Sequence, residues 1–147
     1  MFSLSSTQKA YIAGFLDGDG SIYVRAKPNP TYRYGFQVAP YIVLFQSQKE
    51  KKNFERVCEM IGFGYLRERK DGLLEYIIGR EDAIRLFLKM IQPFLILKKE
   101  QASLMIRILD MKAKVETKND FQALIELVDR FRGLNYSKKR KRRTLTP

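Results

Sequence analysis

Histidine is absent from the 147-residue chain, and cysteine occurs only once. Without histidine the chain cannot build an imidazole zinc site, a Ser-His-Asp triad or a nuclease centre with a histidine base. The single cysteine, Cys58, excludes an intramolecular disulfide and a cysteine zinc cluster, and it fits a reducing compartment. Any catalysis must therefore use carboxylates, lysines and metal-bound water.

Long apolar runs are absent as well. No stretch approaches the roughly 20 apolar residues of a membrane-spanning helix, and the N-terminus lacks the basic-then-apolar pattern of a secretory signal. We therefore expect a soluble chain with no membrane partner.

Positive charge is abundant. Lysine and arginine number 28 against 16 acidic residues, which gives a net charge of +12, the electrostatic pattern of a polyanion binder. Six of these charges lie in residues 138–143, so the remaining chain still carries +6. We predict one domain, residues 1–137, and a basic tail, residues 138–147. The tail is either a solvated or localisation-like end or a phosphate-binding extension.

Apolar residues at the i, i+3, i+4, i+7 spacing predict four helices. These sets are Phe54/Val57/Cys58/Ile61, Ile84/Phe87/Leu88/Ile91, Ala102/Met105/Ile106/Leu109 and Phe121/Leu124/Ile125/Val128. A fifth, shorter helix is predicted at the start of the chain, with Ser6 or Thr7 as its N-cap.

Segments of period two predict strands with a core side and a basic side. Residues 22–27 alternate in this way, a second strand is expected over about 32–39, and Pro40 is expected to break or bulge it before residues 42–46. A hairpin turn at residues 70–72 joins strands near 65–69 and 74–78. The resulting order predicts an α+β fold, an αββαββ core with C-terminal helices and one antiparallel sheet.

The stretch from Ile12 to Gly20 places two carboxylates, Asp17 and Asp19, at the C-terminal end of a helix. Acids are unfavourable there, because a helix C-terminus carries partial negative charge. Gly14 and Gly18 lie four residues apart and clear one helical face for close approach of a second helix. An Asx turn that leads into the strand is the simple structural alternative.

The whole stretch resembles the signature of the LAGLIDADG homing endonucleases, which it matches letter for letter at Ala13, Gly14, Asp17, Asp19 and Gly20. Residues 46–49, 61–65 and 92–98 are similar to later landmarks of the family, in order. The resemblance implies a curved sheet that forms a DNA-binding saddle. It also implies a homodimer, because one motif per chain supplies two active centres only through a two-fold axis.

Within this resemblance, Asp19 is the expected metal ligand, with the Gly18 carbonyl as its companion, and Mg²⁺ is the expected metal, for which Mn²⁺ or Ca²⁺ can substitute in binding. No nucleotide cofactor is expected. Asp17 is assigned to structure at the helix contact, and the expected dimer interface comprises Ala13, Gly14, Asp17 and Gly18. Gln48, Lys98 and, with a weaker match, Lys51 are the other candidate catalytic residues.

The resemblance implies that the polar faces of the strands and their loops read DNA in the major groove, one half-site per chain. The whole target should therefore be a near-palindrome of about two helical turns. Arg67 and Arg69, two apart on one strand, could each contact a guanine. The candidates are Tyr23, Arg25, Lys27, Asn29, Thr31, Tyr32, Arg33, Gln37, Gln46, Arg67, Arg69 and Glu75, with Lys138, Lys139 and Arg140 of the tail on phosphates.

The interpretation is therefore a metal-dependent endonuclease that makes a double-strand cut in a long DNA target. An RNA-binding intron maturase and a non-catalytic dimeric DNA-binding module are the alternatives. Members of the family are encoded in organellar or archaeal introns, so the resemblance implies a chloroplast, a mitochondrion or an archaeal cytoplasm as the location.

Overall fold

Helices and strands follow one another in the predicted order in the computed structural model, which describes residues 3–135. These residues form five α-helices and one four-stranded antiparallel sheet with the strand order β1-β2-β4-β3. The elements are α1 (Ser6–Asp19), β1 (Gly20–Pro28), β2 (Phe36–Ser47), α2 (Lys51–Ile61), β3 (Tyr65–Glu68), β4 (Leu73–Ile78), α3 (Glu81–Ile91), α4 (Lys99–Ala113) and α5 (Lys118–Arg132). The α+β prediction is confirmed.

Helix α1 begins one residue earlier than predicted. Its N-cap is Ser5, whose side chain accepts a hydrogen bond from the backbone N–H of Gln8 at 3.1 Å, while the Gln8 side chain accepts from the Ser5 N–H at 2.9 Å. This reciprocal pair is a capping box. With 14 residues, α1 is longer than α2 and α3, so the prediction of a shorter helix is wrong.

Strand β2 continues through Pro40, and the predicted break there is wrong. Pro40 pairs with Val24 of β1, whereas the pairing of β2 with β4 begins only at Ile42. At Pro40 the strand is therefore bordered on one side only, where a residue without an N–H donor is tolerated. The strand also starts later than predicted, at Phe36, because the Asn29 side chain accepts from the N–H and hydroxyl of Thr31 and holds a turn.

The register assigns every strand residue to one of two faces by the parity of its number. Even-numbered residues, among them Ile22, Ile42, Leu44 and Ile78, lie on the face that the helices cover and are fully buried in the core. Odd-numbered residues of all four strands lie on the opposite face, which we call the outer face. The predicted core side and basic side of β1 are thus confirmed.

One end of the sheet collects the ends of several elements. Helix α1 ends at Asp19, directly before the Gly20–Leu44 pair, and β2 runs three residues further to Ser47, which pairs with Leu73. The Gln48 N–H then donates to the Gly72 carbonyl at 2.9 Å. We call this the α1 end of the sheet; the loop of residues 29–35 lies at the other end. Among the described residues, no helix has the length and apolar character needed to cross a membrane.

Candidate active site and nucleic-acid interface

The last residue of α1 is Asp19, as predicted, and its side chain is exposed. Within residues 3–135 no hydrogen bond or ion pair engages its carboxylate. The last turn of α1 contains no basic residue. Because a helix C-terminus is partially negative, this carboxylate makes the local electrostatic potential more negative. Its oxygen atoms can bind a cation.

Asp17 binds the chain segment that leads into α4. Its Oδ2 accepts from the backbone N–H groups of Ile96 at 2.8 Å and Leu97 at 3.2 Å, and its Oδ1 accepts from the N–H of Lys98 at 3.0 Å. The Lys98 ammonium returns a hydrogen bond to the Asp17 carbonyl at 2.9 Å. We call these four bonds the Asp17 brace. Asp17 therefore has a bracing role, but within its own chain.

Lys98 is placed at the C-terminal end of α1 by this brace. Its ammonium lies against a carbonyl of the last helical turn, two residues before Asp19 in the sequence, and the side chain is half-buried. A cation in this place offsets the negative helix end. The structure therefore brings Lys98 and the end of α1 together, although the two are about 80 residues apart in the sequence.

Gln48 and Lys51 also lie at the α1 end, after β2. The Lys51 ammonium forms an ion pair with Glu68 of β3, and this hydrogen bond raises the pKa of Lys51. Both side chains of the pair are about half exposed. Lys51 thus remains protonated and has a partner within the chain, which links α2 to β3.

Gln46 is not on the outer face, so its prediction as a base reader on that face is corrected. It is even-numbered, pairs with Leu74 and points to the helix-covered side, two residues beyond the Gly20–Leu44 pair. The side chain is half-buried, and its Oε1 accepts from the Ser47 N–H at 2.8 Å. Its shared parity with Ile42 and Leu44 was the sequence signal for this placement.

The outer face carries most of the other candidate readers. Tyr23, Arg25 and Lys27 of β1, Gln37 of β2, Arg67 of β3 and Glu75 of β4 all lie there. Tyr41, which the sequence analysis did not single out, stacks on Tyr23 with ring centroids 5.2 Å apart. Its hydroxyl accepts from the Lys27 ammonium at 3.1 Å. Desolvation raises the pKa of Tyr23.

The remaining candidate readers lie off the strands. Asn29, Thr31, Tyr32 and Arg33 belong to the loop opposite the α1 end, where Arg33 donates to the Glu116 carbonyl at 3.3 Å. Arg69 follows the end of β3 and pairs with Asp71 at 2.6 Å, so Arg67 and Arg69 do not both lie on one strand as predicted. Lys138, Lys139 and Arg140 are outside the described residues.

An exposed surface beside the end of α1 combines Tyr11, Gly14 and Gly18 of one helical stripe with Ile96 and Leu97. Ile96 is 83% exposed and Leu97 75%, and the Asp17 brace holds both next to α1. A Cβ atom added at Gly14 or Gly18 would meet no atom within 4 Å. We call these five residues the α1 surface.

Ala13 does not belong to the α1 surface. It is 0% exposed within the single chain and lies in the core, so its predicted side-chain contribution to a dimer interface is corrected. The spacing of α1 explains the difference, because residue 13 lies about 100° around the helix from residue 14.

Few side chains of the described residues could bind a metal ion or act as a nucleophile. Among residues 3–135, no group of three or more acidic or cysteine side chains is clustered for a metal ion. Burial raises the pKa of Cys58 to about 12, so its thiol is not a nucleophile near neutral pH. Asp19 is thus not part of a larger acidic or cysteine cluster within these residues.

The sequence is similar to a known protein family and to two known endonucleases. Residues 12–106 match the family model described as LAGLIDADG endonuclease. The chain is 35% identical over 132 residues to the DNA endonuclease I-CreI of Chlamydomonas reinhardtii, covering 89% of this chain and 80% of that protein. It is 30% identical over 134 residues to I-CvuI of Chlorella vulgaris, covering 89% and 81%.

The fold is also similar to solved structures of homing endonucleases. I-CvuI bound to the I-CreI DNA target in 2 mM Mg, with the DNA not cleaved, superimposes with a TM-score of 0.86 at 27% identity, over 92% of this chain and 86% of that one. An archaeal intron-encoded endonuclease, I-Vdi141I, in complex with DNA, gives a TM-score of 0.81 at 22% identity over 93% and 89%, a likeness of fold.

The Asp17 brace generates a stability prediction. Asp17→Ala removes the acceptor of three backbone N–H groups and should lower the free energy of unfolding by roughly 1–3 kcal/mol in urea titrations at fixed protein concentration. Amide exchange at residues 96–98 should accelerate. The matched control is Asp110→Asn, which removes one exposed ion pair with Arg85 and should change stability little. Equal effects of the two substitutions would contradict the role of the brace.

Proposed function

Because the chain belongs to the LAGLIDADG endonuclease family, we propose that it is a site-specific homing endonuclease. It acts as a homodimer and makes a metal-dependent double-strand cut in a long, partly palindromic DNA. The observation that carries this proposal is the exposed Asp19 carboxylate, which has no protein partner among residues 3–135 and ends a helix flanked by an exposed glycine stripe.

Positive charge and the open outer face support duplex DNA as the substrate. The net charge of +12 favours a polyanion, and Arg25, Lys27 and Arg67 lie on the outer face, opposite the face that the helices cover. Base edges in the major groove are read by such side chains, while phosphate contacts supply most of the affinity. The tail residues Lys138, Lys139 and Arg140 are proposed to add phosphate contacts.

Two-fold symmetry follows from the chemistry of cutting both strands. Each chain carries one Asp19, and the described residues hold no second acidic centre, so each copy supplies one active centre. The α1 surface suits the contact, because its glycines allow close backbone approach and Ile96 and Leu97 offer exposed apolar area. Contact along α1 brings the two Asp19 carboxylates together.

Mg²⁺ is the proposed metal. The Asp19 carboxylate, with the Gly18 carbonyl beside it and the negative end of α1 behind it, fits a hard cation that prefers oxygen ligands. When bound, such a metal supplies an activated water and neutralises phosphate charge. The Lys98 ammonium, held at the end of α1, stabilises negative charge that develops on the phosphate. Mn²⁺ and Ca²⁺ are proposed substitutes for binding.

A glutamine is proposed to orient water beside this metal, and two positions compete. Gln48 is exposed after β2, whereas Gln46 is half-buried on the helix-covered side, two residues past the pair that adjoins Asp19. A water-orienting group benefits from a restricted position, which favours Gln46. Lys51 is a weaker candidate, because Glu68 already holds its ammonium.

A chloroplast or a mitochondrion is proposed as the place of action, with an archaeal cytoplasm as the alternative. The curated relatives come from Chlamydomonas and Chlorella, whereas an archaeal protein shares the fold at lower identity.

Substitution of the glycine stripe tests the dimer. Gly14→Leu should separate the two α1 helices and abolish both dimerisation, measured by sedimentation, and cleavage of a target duplex. Ala123→Leu places the same side chain at an exposed position of α5 and should leave both unchanged. A fully active Gly14→Leu dimer would rule out the α1 contact.

Substitution of Asp19 tests the catalytic assignment. Asp19→Asn keeps the shape and removes the charge that holds the metal, so cleavage should fall by about 10³-fold or more. In metal-free buffer the variant should bind DNA as well as the parent or better, since a carboxylate that faces phosphates is repelled.

Cleavage, DNA affinity and sedimentation should be measured together on duplexes selected from a partly palindromic library. Asp110→Asn is the control for the loss of a carboxylate at an exposed site. Retained cleavage in Asp19→Asn would refute the mechanism, and joint loss of binding and dimerisation would return Asp19 to a structural role.

The two glutamines form a matched pair. Gln46→Ala should reduce the single-turnover cleavage rate by roughly 10²-fold with little change in DNA affinity, because it removes a water-orienting group. Gln48→Ala should reduce the rate less than tenfold. The opposite order would assign the role to Gln48, as the sequence resemblance implies.

A further inference from the structure

The outer face has an apolar cluster of its own. Three buried apolar residues, Ala39, Val43 and Ile77, are not part of the continuous core, and all three lie on the outer face. They are 6%, 1% and 7% exposed. Since the helices pack on the other face, neighbouring side chains of the outer face must cover them.

Aromatic side chains form that cover. Tyr41 and Phe45 flank Val43 along β2, and both are half-buried without being packed against the continuous core. Tyr41 is further fixed by the stacked ring of Tyr23 and by the Lys27 ammonium, which contacts both its hydroxyl and its ring. We call Ala39, Tyr41, Val43, Phe45 and Ile77 the outer apolar patch.

Charged groups border the patch at two places. Arg25 and Lys27 of β1, with Gln37 of β2, lie toward the loop of residues 29–35. Arg67 and Glu75, paired at 3.7 Å, lie toward the α1 end. Between them, Ser21 and Tyr23 of β1 and Tyr65 of β3 add hydroxyls at the two edge strands. Strand β2 has no charged or amide side chain on the outer face from Ala39 to Phe45.

Because Ala39, Val43 and Ile77 are covered, the surface that the patch offers to a DNA major groove is formed mainly by the rings of Tyr41 and Phe45. In that groove the 5-methyl of thymine is the apolar feature that distinguishes base pairs, and phenylalanine and alanine contact it favourably. Cytosine at the same place presents an amino donor, whose burial against an apolar surface without a partner is unfavourable.

We infer that the part of each half-site that faces the outer apolar patch is read as A·T pairs through the thymine 5-methyl groups. Base-edge hydrogen bonds are made on either side of this block, by Arg25, Lys27 and Gln37 and by Arg67. This inference rests on the proposed function, since it requires the outer face to lie along duplex DNA.

Deoxyuridine scanning tests the inference with the unaltered protein. In the duplex selected for cleavage, each thymine is replaced in turn by deoxyuridine, which removes one methyl and keeps every hydrogen bond. Affinity is measured in Ca²⁺. We expect a contiguous block of positions in each half-site at which affinity falls about fourfold per methyl, and less than twofold elsewhere.

The converse substitution adds the methyl alone. Within the block, replacing a T·A pair by C·G should weaken binding more than deoxyuridine does, and 5-methylcytosine in place of cytosine should recover about fourfold. Equal affinity for cytosine and 5-methylcytosine throughout the block would overturn the inference.

Variants of the outer apolar patch test whether its side chains read the block of thymines. Phe45→Ala and Tyr41→Ala should each reduce the deoxyuridine effect at one or two positions of the block to less than twofold. Phe63→Ala, a half-buried phenylalanine packed against the helix-covered core, is the matched control and should leave the pattern unchanged. Patterns identical to the parent's in both patch variants would contradict the assignment.

Failure of the inference is distinguishable from failure of the proposed function. If no duplex is cut and bound specifically, the proposed endonuclease function is wrong. If a defined duplex is cut but its deoxyuridine profile is flat, the endonuclease function stands and methyl reading by the patch is overturned.

Discussion

The Asp17 brace is the interaction on which the arrangement of this protein depends. One carboxylate accepts three backbone N–H groups of the segment before α4, and Lys98 returns a fourth hydrogen bond. These bonds fix the end of α1, place a lysine ammonium against it and hold Ile96 and Leu97 exposed beside the glycine stripe. The neighbouring Asp19 is left without a partner among residues 3–135, and a carboxylate at a helix C-terminus lowers stability. The proposed catalytic role accounts for its position.

The second constraint is the pairing register, in which even-numbered residues pair with even-numbered residues and odd-numbered with odd-numbered ones in all four strands. Even-numbered residues build the core under the helices, and odd-numbered residues face outward. A sheet covered on one face normally exposes a polar second face. Here that face contains a buried apolar cluster around Val43 and Ile77, bordered by arginine and lysine. The same face of the sheet thus carries both positive charge and an apolar cluster.

The proposed two-fold symmetry relates the end of α1 and the outer face of the sheet to the proposed function. Among the described residues of one chain, no group of three or more acidic or cysteine side chains gathers in one place. In the proposed dimer, contact between the α1 surfaces of two copies brings the two Asp19 carboxylates together. In this proposed arrangement the two outer faces extend from a common centre, one along each half-site. In the proposed dimer, cleavage near the axis and sequence reading along the sheets use separate parts of one surface, so substitutions in one part should leave the other intact.

Local patterns in the sequence were sufficient for the five helices, the strand order along the chain and the motif that ends in Asp19. Helical and strand periodicity depend on neighbouring residues alone, and a single motif already implied a dimer. Tertiary structure decided the rest: that Asp17 reaches residues 96–98, and that Pro40 is accommodated where β2 lacks its β4 neighbour. These outcomes depend on contacts between residues distant in the sequence or on a strand's partners, and no local periodicity encodes either.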